Sequence, residues 1–99
     1  MRIYPQKHAS YFERTTDKQR ELLADALLVA MKKLSRALGD PDYNYFLHTA
    51  PADGGRYDHY HWHWEILPKT STWAGFELGS GIEISTIKPE TAAAFLRKQ

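Results

Sequence analysis

The stretch from Thr16 to Pro41 constrains the fold more than any other part of this chain, because it carries a start signal, a period and a stop signal for one long helix. Thr16 followed by Gln19 fits a capping box, and Asp17 puts a negative charge in the first turn, where it suits the helix dipole. Leu23, Ala26, Leu27, Ala30, Leu34 and Leu38 then recur at spacings of three and four, an apolar stripe of helical period. Lys32, Lys33 and Arg36 fall near the end, Gly39 supplies the C-terminal stop and Pro41 prevents continuation. A helix of this length with one apolar stripe needs a sheet or other helices to cover it.

The flanking segments supply the sheet. Residues 2–5 (RIYP) make a short strand stopped by Pro5. Residues 43–48 (YNYFLH) read as a strand from their aromatic and β-favouring content. Residues 49–58, with Pro51 and Asp53-Gly54-Gly55, form a loop or hairpin connection. Residues 59–67 (HYHWHWEIL) read as a second long strand closed by Pro68, with Tyr60, Trp62, Trp64 and Ile66 as its core side. After a polar connection (KTSTWAG), FEL, GSG and IEISTI suggest two short strands around a glycine turn, or one strand bent at a bulge. Lys88-Pro89-Glu90 opens a final helix with proline in its first turn, and Ala92, Ala93, Phe95 and Leu96 supply its buried face. The later connections are too short for parallel crossovers. The expected fold is therefore α+β, a largely antiparallel sheet with one long helix and a C-terminal helix, in a single domain over residues 1–99.

Alternation on the 59–67 strand places His59, His61, His63 and Glu65 on one side, with same-side neighbours roughly 6.5–7 Å apart along the backbone. Two imidazoles at that spacing can converge on one ion at nitrogen–metal distances of about 2.0–2.1 Å. A strand pair rarely suffices, and His48 at the end of the 43–48 strand supplies a third ligand if the two strands pair. Zinc is the first choice for a histidine-rich, cysteine-free set, and imidazole also suits iron. Two other readings stand beside the metal site. A histidine held by a hydrogen-bond partner can attack phosphorus, as in the histidine-triad superfamily, with His61 as the middle residue of the alternation. Against that, Glu65 occupies the second position after His63, where the triad motif continues with apolar residues, and Pro68 comes five residues after His63. The remaining reading is a plain polar strand face. His8 reads as a structural or loop hydrogen-bonding residue.

Composition narrows the partners. A formal charge of +1 gives no support to binding a phosphate backbone, so no nucleic-acid partner is expected. The absence of cysteine excludes disulfides, thiolate zinc sites and a cysteine nucleophile, and fits a cytoplasmic protein. Met1 leads into RIYP rather than a long apolar run, and ALLVAM at 26–31 is too short for a membrane span.

Taken together, PQKHASYF, the long helix, DPDYNYFLHTAP, YHWHWEILP, WAGFELGSGIEI and IKPETAAAFLR resemble, in order and through almost the whole chain, the C-terminal half of galactose-1-phosphate uridylyltransferases, which belong to the histidine-triad-like superfamily. The resemblance implies a nucleotidyltransferase of galactose and related carbohydrate metabolism. In that family a His-Pro-His motif of the N-terminal half carries the nucleophile, and this sequence contains no His-Pro-His. The resemblance assigns a structural divalent metal to His48, His61 and His63, with a fourth ligand, a glutamate, from the N-terminal half. It also assigns WAGFEL to a nucleotide-sugar site across a dimer. Ala74 contacts the ligand through its backbone, Phe76 packs near it and Glu77 accepts from sugar hydroxyls. The implied ligands are a UDP-hexose or hexose 1-phosphate, and the implied assembly is a homodimer or association with the N-terminal half, since a partial sheet leaves an edge that invites strand pairing. Ser71 and Thr72 stand where the family has a lysine and an aromatic, and Phe76 stands where a tyrosine is common. Two alternatives are a free-standing nucleotide hydrolase using His61 and a non-catalytic metal-binding or dimerisation module.

Overall fold

In a computed structural model describing residues 1–99, three strands form one antiparallel sheet in the order β1-β3-β2, where β1 is Arg2–Ile3, β2 is Tyr43–His48 and β3 is His63–Pro68. The long helix α1 spans Asp17–Leu38, the short α2 spans Gly75–Ser80 and α3 spans Pro89–Arg97. The α+β class is as the sequence implies.

Helix α1 starts and stops on the expected residues. Thr16 Oγ1 accepts from Gln19 N–H while the Gln19 side chain accepts from Thr16 N–H, closing the capping box. Gly39 takes the left-handed conformation (φ +72°), which a side chain would strain, and its N–H caps Ser35 O. The helix lies on one face of the sheet. Ala30 and Leu34 pack against Ile66, which is fully buried, with Ile3, Leu27, Met31 and Leu96 around them. Helix α3 docks on α1, where Lys33 Nζ donates to Leu96 O at 3.0 Å and Arg36 donates to Gln99 O at 3.3 Å.

Register follows from the partners. On β3, Trp64 and Ile66 oppose Leu47 and Tyr45 on the helix side, while His63, Glu65 and Leu67 oppose His48, Phe46 and Asn44 on the other. Arg2 of β1 flanks Glu65 on that second side. Phe46 and Leu67 are exposed there, and the segment around α2 borders only the Asn44–Leu67 end of this side.

Three expectations need correction. The histidine strand is shorter than residues 59–67, because β2 ends at His48 opposite His63 and the loop after it leaves the sheet. Residues 59–62 run beside the N-terminal segment through isolated bonds, such as Trp62 N–H to Ala9 O at 2.9 Å, without a ladder. The FEL and GSG stretch is helix α2, and residues 82–87 form no strand. Glu77 reaches back to Ala74 N–H to start the helix and Gly81 ends it in the left-handed region (φ +69°). Finally, the face of α3 that was to be buried is only partly so, with Phe95 exposed. Ala92, Phe95 and Leu96 line an open apolar cavity of about 860 Å³ with Leu34, Leu38 and Ile87. A second cavity of about 580 Å³ separates residues 3–7 from the first turns of α1, where Leu22 stays exposed.

Candidate metal centre and the WAGFEL segment

The open face of the sheet brings His48, His63 and Glu65 together. Their ligand-type atoms lie within 4.8 Å of one another, and all three residues are half-buried. Cross-strand pairing does this, because His48 and His63 are direct partners whose rings stack at 4.7 Å, and Glu65 follows His63 on the same face. A tetrahedral ion with bonds of about 2.0–2.1 Å separates its ligands by roughly 3.3 Å. The three side chains therefore need only a small contraction to share a cation.

Protonation supports that fit. His63 Nδ1 faces the carbonyl of His61 at 3.1 Å. A carbonyl only accepts, so Nδ1 carries the proton and Nε2 keeps its lone pair, the arrangement metal-bound histidines use. His48 Nε2 sits 3.3 Å from Glu65 Oε2, in a direction that makes no hydrogen bond, and it is a buried nitrogen without a partner. Buried polar atoms are rarely left so. Glu65 Oε1 accepts from Arg2 Nε at 2.9 Å, and this bond holds the Glu65 carboxyl below its ordinary range, ionised and ready as a hard ligand. The second oxygen remains on the His48 side. A His–His–Glu group that could hold a metal ion is thus built into the sheet.

His61 is placed differently from His48 and His63. Its Nε2 donates to Pro5 O at 3.0 Å, outside the three-residue group. It belongs instead to a row of rings. His48, His63, Tyr4, His61 and His8 follow one another at centroid distances of 4.7, 4.7, 5.6 and 5.0 Å. His8 Nε2 is anchored on Asp58 O at 2.7 Å, the loop hydrogen-bonding role expected of it. His59 is exposed, with its ring 6.3 Å from that of Tyr57. Glu65 is the residue that sequence reasoning did not use as a ligand. Its signal was available, since it lies two positions from His63 on the histidine side of the alternation.

The WAGFEL segment lies at the start of α2. Ala74 has both backbone groups engaged, N–H to Glu77 Oε2 at 3.0 Å and C=O from Leu78 N–H at 3.0 Å. Phe76 points outward and is exposed, while Glu77 is buried. Beside them a polar cavity of about 530 Å³ is lined by Asn44, Lys69, Ser71, Trp73, Glu83 and Ser85, among others.

The fold has solved counterparts. The chain is 34% identical over 98 residues to ADP-glucose phosphorylase of Arabidopsis thaliana, a match covering 97% of this chain. The crystal structure of an ADP-glucose phosphorylase from Arabidopsis thaliana with bound ADP-glucose superposes on 99% of the chain with a TM-score of 0.91 and 33% identity. The chain is a domain of the galactose-1-phosphate uridylyltransferase family. A GalT-like protein from Arabidopsis thaliana matches 98% of this family domain with a TM-score of 0.90 and 33% identity. A structure of uridylyltransferase does so with a TM-score of 0.84 and 32% identity. The domain spans only 28% of the curated relative, and 32–33% of these solved chains. No protein-family model matches it. No helix of the domain is long and apolar enough to cross a membrane.

Proposed function

We propose that this chain is the C-terminal domain of a nucleotidyltransferase acting on a nucleoside diphosphate hexose, in which it supplies a structural metal site and part of the nucleotide-sugar site. The observation that carries this reading is the match of the whole chain to an ADP-glucose phosphorylase whose crystal structure holds ADP-glucose. That relative makes ADP-glucose the first ligand to try, with UDP-glucose, implied by the sequence resemblance, as the comparison.

His48, His63 and Glu65 hold the metal in this proposal, with His61 joining once its ring turns from Pro5 O, and zinc is the ion the donor set suits best, iron the next. The ion clamps β2 to β3. Ala74, Phe76 and Glu77 belong to the segment that meets the nucleotide sugar, Phe76 offering the exposed surface. Elemental analysis of the purified protein tests the metal, with about one ion per chain expected and the His48→Ala/His63→Ala double variant expected to lose it. Calorimetric titration with ADP-glucose and then UDP-glucose tests the ligand. Absence of heat with either at millimolar concentration would leave a non-catalytic metal-binding module.

A partner is part of the same proposal. The chain exposes 7720 Å², whereas a compact monomer of 11.4 kDa exposes about 5,800 Å². The excess, roughly 1,900 Å² on one chain, is above the roughly 800 Å² per partner of a standard interface and matches the larger, obligate ones. β2 is a six-residue edge strand without lysine, proline or a bulge, so nothing on it discourages strand addition. We assign this surface to a second copy of the chain or to the part of the family protein that lies outside this domain. Sedimentation equilibrium separates the two, because only the first predicts a dimer of the isolated chain.

A further inference from the structure

One bond fixes the Glu65 carboxylate. Its Oε1 accepts from Arg2 Nε at 2.9 Å, and no other side chain or amide donates to it. Register sets this bond, because Arg2 on β1 lies directly opposite Glu65 on β3, on the open face of the sheet. The other oxygen, Oε2, is left 3.3 Å from His48 Nε2, the buried nitrogen that has no hydrogen-bond partner. The two oxygens are thus divided. One is held by a cation of the chain and the other is turned to the imidazoles.

Stability does not account for the pair. The Arg2 side chain is 55% exposed, and an ion pair so open to solvent contributes little. What the bond changes is the number of oxygens that Glu65 can offer. A free carboxylate can grip an ion with both, whereas one whose Oε1 is occupied offers Oε2 alone. That bears on which ion fits. Zinc takes single-atom donors in a tetrahedron, and His48, His63 and a one-oxygen Glu65 provide three of them. Manganese and calcium favour larger, oxygen-rich shells.

A second effect opposes the first. The guanidinium is itself a positive charge near the ion, and like charges repel. Were charge the only effect, loss of Arg2 would tighten the binding of every divalent cation. Solvent screens an exposed charge, however, while partners that orient a ligand change metal affinity by about 10–100-fold. Orientation therefore wins.

We propose that Arg2 is a positioning residue of the metal centre: by occupying Oε1 it makes Glu65 a one-oxygen ligand aimed at the ion shared with His48 and His63, and so favours zinc over larger, oxygen-preferring cations such as manganese. This inference rests on the metal reading above.

The test is the affinity of the full chain for zinc, by competition with a chromophoric chelator, and for manganese, by loss of the free-ion electron paramagnetic resonance signal. Arg2→Met binds zinc about 10–100-fold more weakly than the wild type, and its preference for zinc over manganese narrows. The same substitution in a Glu65→Ala background separates positioning from loosening of the two-residue strand β1. Acting through Glu65, Arg2→Met costs no further zinc affinity there, whereas a detached β1 weakens binding in both backgrounds. The wild type gives a readout that needs no variant. Its Arg2 Nε–H stays protected from exchange when zinc is added, because Oε1 remains with Arg2. Unchanged or tighter zinc binding in Arg2→Met, an equal loss in both backgrounds, or an Arg2 Nε–H that loses its protection on zinc loading each overturns the inference and leaves the metal site standing. Wild-type protein that binds no zinc sinks the metal reading and this inference together.

Discussion

The two faces of the sheet use the same strands for opposite purposes. On the helix side, β3 gives Ile66, fully buried against Ala30 and Leu34, with Trp64 beside it. On the open side the same strand gives His63 and Glu65, half-buried and facing His48 and Arg2. Alternation alone decides which residue goes where. The packed core and the candidate metal centre are thus one residue apart along the strand, and a change on one side need not be felt on the other.

The largest effect that would sharpen this contrast is on the covered side. Ile66→Ala removes the one large side chain that is fully buried, and should cost about 2–5 kcal/mol of unfolding free energy. Urea denaturation measures it, and a loss below about 1 kcal/mol would mean that the core does not centre on β3. On the open side, His48→Ala should change the stability of chelator-treated protein by less than about 1 kcal/mol. It should nevertheless abolish the rise in melting temperature that added zinc gives the wild type, as linkage between binding and folding requires. A zinc-dependent rise that survives in His48→Ala would break the site as drawn. Thr16→Ala removes the hydroxyl that caps α1 and should cost about 1 kcal/mol, with metal content unchanged. Helix content followed by circular dichroism during denaturation reads it.

The smallest effect belongs to the 49–58 loop, which lies off both faces. Asp53 accepts from Gly55 N–H at 2.9 Å and from Tyr57 OH at 2.7 Å, and these bonds, the first foremost, hold its carboxyl below its ordinary value of 3.8. A depressed carboxyl contributes stability that is present above its unfolded value and is lost as pH falls through the folded one. Tyr57→Phe removes one of the two bonds. Its difference from the wild type should therefore be small and constant near neutral pH, and shrink below about pH 4. Thermal melts at stepped pH follow this, and a difference that grows on acidification would contradict the assignment.

Much of this fold is legible in the sequence because local rules and tertiary packing agree. Thr16, Gln19, Gly39 and Pro41 bound α1 without help from the rest of the chain, and Pro89 opens α3 in the same way. The 43–48 strand has the expected ends. Legibility fails where a partner sets the limit. Period two continues from His59 to Leu67, yet the ladder begins only at His63 because β2 has no residue left to pair further back. Helix α2 fails differently, for six residues are too few to show a helical period, and the signal lies in Glu77 reaching back to Ala74 and in Gly81 as the stop. At the site, His48 and His63 were readable from the strands. The place of Glu65 needed the register, which sets a carboxylate diagonally across from His48.

The row of rings that runs from His48 to His8 gives the site a built-in reporter. Tyr4 stacks on His63 at 4.7 Å, so a cation taken up by that imidazole sets positive charge beside a phenol. Tyrosine absorbance near the ultraviolet edge responds to such charge without any added dye. Occupancy of the centre could then be followed in real time in unlabelled protein, with Tyr4→Phe as the silent control.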